Sequence, residues 1–164
     1  MEKQLWILRH ATAEYAGLAG ADFNRSLTTK GQDEAQQVGG WLADKNIVFD
    51  SIIASSAMRT VQTARSVAQV VGYEQEIIVD RNIYEASLDA LVKAVMEIPE
   101  AVDIALFIGH NPGLESLVAM SSPSHAAQQV YLRPASLVHV SFPQSWDEIL
   151  GSLGQFRGVH HVDD

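Results

Sequence analysis

Short apolar runs that alternate with segments of helical periodicity constrain this chain more than any other feature. The runs fall at residues 4–9, 51–55, 76–79, 104–109, 137–142 and 151–156. Those at 4–9, 51–55 and 104–109 are almost continuously apolar, as strands covered on both faces must be. Four helical patterns lie between them. Ala35, Val38 and Leu42 share a face in a segment starting near Thr29, and Ala57, Val61, Ala64, Ala68 and Val71 form the strongest stripe. Leu88, Leu91, Val92 and Val95 make a third stripe, and Leu114, Leu117 and Val118 a short fourth. Ser122, Pro123 and Ser124 read as a loop. Strands alternating with helices predict a three-layer α/β/α domain around a mostly parallel central sheet of about six strands. The stripes read as core packing.

The 164 residues amount to one domain, since domains take roughly 100–200 residues each, and no repeat, low-complexity tract or long linker divides 1–164. With 47% hydrophobic and 19% charged residues the chain can bury a core. No apolar stretch approaches the roughly 20 residues that span a bilayer. Residues 5–8, between Lys3 and Arg9, are too few for the apolar part of a signal peptide. The lack of cysteine excludes disulfides and thiolate metal sites and fits a reducing cytoplasm. Eleven basic residues against twenty acidic leave a charge of −9, which disfavours a general binder of nucleic acid or anionic membranes. A local basic pocket is compatible with that balance.

Such a pocket is suggested by what stands at the ends of the apolar runs. The first ends in Leu8, Arg9, His10 and Ala11; the second in Ser55, Ser56, Ala57, Met58 and Arg59; the fourth in Gly109, His110, Asn111 and Pro112. In open α/β sheets ligands bind beyond the carboxyl ends of the strands, so parallel neighbours would bring Arg9, His10, Arg59 and His110 to one rim. Asn111 suits a helix N-cap and Pro112 the first helical position; Ser55 or Ser56 is expected to cap the helix that follows the second run. Arg59, in a first turn, opposes the helix dipole unless an anion sits nearby. Free N–H groups at helix starts and planar guanidinium groups both suit phosphate.

Five ordered blocks carry a resemblance that covers nearly the whole chain: Leu8-Arg9-His10-Ala11; Arg25-Ser26-Leu27-Thr28 with Gly31; Ser55 through Arg59 with Gln62-Thr63-Ala64; Tyr84-Glu85-Ala86; and Gly109-His110-Asn111-Pro112-Gly113. They resemble the histidine phosphatase superfamily, most closely its small SixA-like phosphohistidine phosphatase branch. Ala11 stands where the mutase branch has glycine, and Ser26 and Ser56 where proline is common. The resemblance implies a phosphoglycerate mutase-like fold, a single domain over 1–164 and no lid insertion, because only 26 positions separate Arg59 from Glu85. It implies that His10 is a nucleophile forming a phosphohistidine intermediate that water hydrolyses. Arg9, Arg59 and His110 would clamp the phosphoryl group, with Arg25 as a fourth clamp.

The chemistry agrees with these roles. An imidazole of ordinary pKa near 6.5 is largely unprotonated at neutral pH and needs no strong base. Phosphoryl transfer asks mostly for positioning and neutralisation of oxygens, which three arginines and an imidazole can supply without metal or cofactor. The general acid stays open between Glu85 and Asp22. A phosphohistidine leaving group is itself an imidazole, so a strong acid matters less. An open pocket suits a phosphohistidine displayed on a phosphotransfer or phosphocarrier protein, with neither nucleic acid nor membrane involved. A phosphatase of small monoesters and a non-catalytic phosphate-binding module are the competing functions. Bland alternatives stand beside the sharper ones: Arg25 pairing with Asp22, Glu85 as a solvated residue, His125 in a loop, His139 in a strand, and His160 and His161 in a frayed tail. The segment from Arg133 to Ser136 is expected to border the site, with Ser136 within possible reach of phosphate.

Overall fold

The computed structural model describes residues 1–15 and 21–163. Strands β1 (Lys3–Arg9), β2 (Ser51–Ser55), β3 (Ile78–Asp80), β4 (Ile104–Gly109), β5 (Leu137–Phe142) and β6 (Gln155–His160) join in the order β3-β2-β4-β1-β5-β6. β1 and β2 both run parallel to β4, and β3 runs parallel to β2. β5 is antiparallel to β1 and β6 to β5, so β5 alone runs against the rest. The sheet is the mostly parallel one expected, and its three apolar strands are adjacent at its centre.

Helices α1 (Thr29–Asp44) and α2 (Met58–Val71) cover one face; α3 (Leu88–Met96) and α4 (Gly113–Ser121) cover the other. Pleating sorts the strands between these layers. Trp6, Leu8, Ile52, Ala54, Leu106 and Ile108 pack with Ala35, Val38, Leu42 and Val67, while Leu5, Ile7, Ala105 and Phe107 pack with Leu91, Val95, Leu114 and Leu117. No helix among the described residues is long and apolar enough to cross a membrane.

The helix starts differ from expectation in ways that matter for the site. Thr28 and Ser87 cap α1 and α3 by accepting from Gly31 N and Ala90 N. α2 has no side-chain cap: Ser55 accepts instead from Ala57 N, at 3.3 Å, outside the helix. Asn111 does not cap α4; Pro112 holds the cap position and the helix begins at Gly113. The buried face of α2 is rotated from the expected stripe. It carries Arg59, Thr60, Thr63, Ala64, Val67 and Ala68, whereas Val61 and Val71 are partly exposed. Two threonines and an arginine on a buried face hide the true periodicity from a count of apolar residues.

Two strands are shifted. β3 is Ile78–Asp80 rather than 76–79, because this edge strand pairs only with Ile53 to Ser55 of β2. β6 is Gln155–His160 rather than 151–156. A 3-10 helix over Trp146–Gly151, opened by a capping box of Ser145 and Glu148, is followed by Ser152 at φ 54°, and the chain becomes extended only afterwards. His160 therefore belongs to a strand and stacks on Trp41 with centroids 4.4 Å apart, and His161 binds Ser136, so neither is frayed. His139 lies in β5 as expected and stacks on Trp6 at 3.9 Å. His125 opens the short helix α5 (His125–Gln128) rather than lying in a loop.

The segment after β1 is pinned to α1. Thr12 O accepts from Thr28 N at 3.0 Å, and Thr12 N donates to the buried Glu34 carboxylate at 2.8 Å. Gly31 permits this approach: a Cβ there would meet Thr12 O at 2.0 Å. Gly31→Ala is therefore expected to destabilise the fold by about 3 kcal/mol, the upper part of the overpacking range, as measured by urea unfolding; an unchanged midpoint would mean that the contact relaxes freely.

Candidate active site

The carboxyl ends of β1, β4 and β2 place His10, His110 and the Ser55–Arg59 turn side by side. The His10 and His110 rings lie 5.4 Å apart between centroids, tilted by 55°. Both backbones are fixed by the sheet, since Arg9 pairs with Gly109 in the ladder and His10 N donates to Gly109 O at 3.1 Å. The convergence expected for Arg9, His10, Arg59 and His110 is present.

His10 is buried, 8% exposed, and its Nδ1 lies 2.7 Å from Ala11 O. A carbonyl only accepts, so Nδ1 carries the proton and, in the neutral ring, Nε2 keeps its lone pair. The ring is held neutral. Burial is the main cause that lowers its pKa to about 3, the Ala11 hydrogen bond opposes this, and His110, Arg59 and Arg9 add to the lowering. His110 is lowered to about 4, again chiefly by burial and then by Arg59. Its Nε2 shares a 2.7 Å hydrogen bond with Ser55 Oγ. Ser55 Oγ, which also accepts from Ala57 N, can donate its own proton to Nε2, and in that tautomer the neutral ring's proton sits on Nδ1.

The arginines are held by their outer ends. Arg9 Nη1 donates to Leu132 O at 2.9 Å. Arg59, 6% exposed, donates from Nη1 to Asp22 O at 2.8 Å and from Nη2 to Asp22 Oδ2 at 3.2 Å. Arg9 Nε, Arg59 Nε and His110 Nδ1 are buried and have no partner among the described residues. Buried polar nitrogens without partners are costly, and these three belong to residues clustered around His10. Thr63 links α2 to the loop after β1: its Oγ1 accepts from Ala11 N at 3.1 Å and donates to Arg59 O, one turn earlier in α2, at 2.7 Å.

Arg25 takes the ion-pair alternative rather than a free clamp position. It donates to Glu14 O and, from Nη1, to Asp22 Oδ1 at 3.1 Å. Asp22 thus gathers both arginines, and Tyr84 OH donates to its Oδ2 at 2.5 Å. The Tyr84 bond is the largest influence lowering the Asp22 carboxyl to about 2; Asp22 is ionised at neutral pH and has no proton to give. Glu85 is exposed, sits at φ 52° and lines a cavity of about 570 Å³ together with Asp22, Arg59, Tyr84 and His110. The apolar Ile83, Leu88, Leu91 and Pro112 also line that cavity.

Ser136 does not reach the site. It is fully buried, accepts from Arg133 N and bonds His161 Nδ1 at 2.6 Å. The loop before β5 borders the site through its backbone instead: Ala135 N donates to the carbonyls of Arg9 and His10, both at 3.1 Å. Asn111 Nδ2 donates to Leu132 O and to Glu115, and Glu115 in turn accepts from Leu132 N. Asn111 lies outside α4, so its pairing with Glu115 carries no helical-spacing signal in the sequence. Ser55, read as a helix cap, and Tyr84, read only as part of a block, gave no such signal.

The family model for the histidine phosphatase superfamily (branch 1) matches residues 5–120. The chain belongs to that superfamily. It is a phosphatase by class. An uncharacterised protein of Mycobacterium leprae is 26% identical over 153 residues, covering 92% of this chain and 90% of the relative. Among solved structures, one described as the phosphohistidine phosphatase SixA of Nakamurella multipartitia matches with a TM-score of 0.84 at 24% identity, covering 98% of this chain and 96% of that one. The protein histidine phosphatase SixA complexed with tungstate matches with a TM-score of 0.81 at 22% identity, covering 95% of each. These structures share the superfamily's fold with this chain.

Because His10 and His110 are held neutral far below their ordinary pKa near 6.5, the unfolded chain binds protons that the native site refuses. Native stability is expected to fall as pH drops below about 6.5 and to keep falling until the buried rings protonate. The acid limb of kcat/KM, corrected for the substrate's own ionisation, should lie below about pH 4. A limb near pH 6.5 in a pH-rate profile would mean that His10 titrates as a free imidazole.

Proposed function

We propose that this phosphatase removes phosphate from histidine side chains of cytoplasmic phosphotransfer or phosphocarrier proteins, without a metal, through a covalent phosphohistidine on His10. The supporting observation is the state of the His10 ring. It is neutral, its Nδ1 proton is tied to Ala11 O, and its Nε2 lone pair is available beside Arg9 and Arg59 donors that lack partners among the described residues. In the first step that lone pair attacks phosphorus in line, the bond from phosphorus to the substrate imidazole breaks, and the leaving ring takes the electron pair. Water then attacks the phosphorylated His10, releasing inorganic phosphate and regenerating the neutral imidazole. Arg9, Arg59 and His110 donate to the equatorial oxygens. The similar SixA structure with tungstate, a tetrahedral oxyanion, is consistent with this use of the pocket.

The substrate preference follows from the acids. Asp22 is ionised, and Glu85 lies exposed at the cavity's edge. A phosphohistidine protonated on its distal nitrogen leaves as neutral imidazole and needs no strong acid at the breaking bond, unlike an alkyl phosphate. We place the whole of 1–164 in this one domain, with no lid over the site, which lets a protein surface approach. Apolar side chains lie exposed around it: Phe23 against Tyr84, Met58 beside Arg59, and Tyr131, 69% exposed, next to the Leu132 carbonyl that holds Arg9.

Two experiments test this reading. Quenching a reaction with a labelled phosphohistidine-bearing protein should leave label on His10, and His10→Ala should lower kcat on the order of 10⁴-fold or more. Retained turnover in that variant removes the nucleophile assignment. Tyr131→Ser should raise KM for the carrier protein about tenfold while kcat/KM for para-nitrophenyl phosphate stays within about twofold; equal effects on both substrates, or preference for sugar phosphates over the carrier, would defeat the protein substrate.

A further inference from the structure

A guanidinium group has five N–H bonds in one plane, and holding it by one edge fixes where the other edge points. Arg59 is held at its far end only. Nη1 meets the backbone carbonyl of Asp22 and Nη2 its carboxylate, while Nε, on the near edge, is buried without a partner among the described residues. One residue therefore grips both terminal nitrogens through two different groups, which leaves the fork little freedom to rotate.

The grip is itself anchored. Tyr84 OH and Arg59 Nη2 share Asp22 Oδ2, and Arg25 takes Oδ1. Tyr84 also packs on both ends of the cluster. The Arg59 guanidinium carbon lies 5.9 Å from its ring centroid, and the His110 ring meets it edge-on at 5.7 Å and 75°. Phe23, the residue after Asp22, meets the same ring from another side at 5.1 Å and 84°. Tyr84 thus contacts the carboxylate, the arginine it holds and the neighbouring imidazole.

We propose that Asp22, clamped by Tyr84, is the positioning residue for Arg59, turning the near edge of the guanidinium toward the phosphate oxygens. Asp22 acts through Arg59 and does not touch substrate. Its ionised state suits this role and not proton donation, because the hydrogen bond from Tyr84 keeps the carboxyl well below its usual range. Arg25, rather than joining the phosphate, balances the second carboxylate oxygen. The role rests on the reading of His10, Arg9, Arg59 and His110 as a phosphate site.

A double-mutant cycle tests it, with inorganic phosphate as competitive inhibitor and para-nitrophenyl phosphate as substrate. Asp22→Asn should raise the inhibition constant of phosphate about tenfold in the otherwise unaltered enzyme, and less than twofold when added to Arg59→Ala. Tyr84→Phe, which keeps the ring and removes the donor, should act in the same direction by about threefold and lose its effect in the same background. Equal losses with and without Arg59 would make Asp22 and Tyr84 merely structural. Tighter phosphate binding in Asp22→Asn would make the carboxylate a competitor for the site. Either result overturns the positioning role while leaving the His10 labelling experiment unaffected. An Arg59→Ala enzyme that binds phosphate normally sinks the site assignment and the positioning role together.

Discussion

Hydrogen bonding of β2, β4 and β1 as adjacent parallel strands is the constraint from which the rest of the site follows. Parallel neighbours end on the same side, so residues spaced across a hundred positions of chain are brought to one rim by the ladder alone. The register is tight at the point that matters, because Arg9 pairs with Gly109 and each is followed by a histidine. Two rings are thereby fixed at a spacing in which a tetrahedral group can touch both, before any ligand contributes. A slip of one residue would turn every side chain of the strand to the opposite face and scatter the pair.

Burial then sets the chemistry. Desolvation keeps both imidazoles uncharged beside arginines, which favours a nucleophile and disfavours a cation in the same small volume. The compensation lies one shell out, where Leu132 O, Asp22 and Ser55 take up the groups that point away from the centre. Positive charge is thus concentrated at one rim of an acidic protein, so its pull on an oxyanion is local.

The fold and the four central residues were legible because each depends on local pattern: apolar runs for the strands, and polar residues placed where those runs stop. What escaped the sequence depends on who meets whom across the chain. The buried face of α2 was misjudged because Thr60 and Thr63 look polar, yet bury their hydroxyls on backbone carbonyls. Asn111 resembles a cap but is drawn away by Leu132, twenty-one positions later. Arg25 and Asp22 were both seen, but whether the pair faced a ligand or each other turned on Tyr84 and Arg59, which no spacing rule connects to them. The late strand was misplaced although Ser145 and Glu148 already marked a helical turn in its path.

Thr63 carries a mechanical consequence. Its single hydroxyl ties the loop that carries His10 to the helix that carries Arg59. Displacing one segment against the other therefore breaks a hydrogen bond, which opposes their separate movement. The constraint falls on the separation of His10 and Arg59 rather than on where either one stands in the molecule.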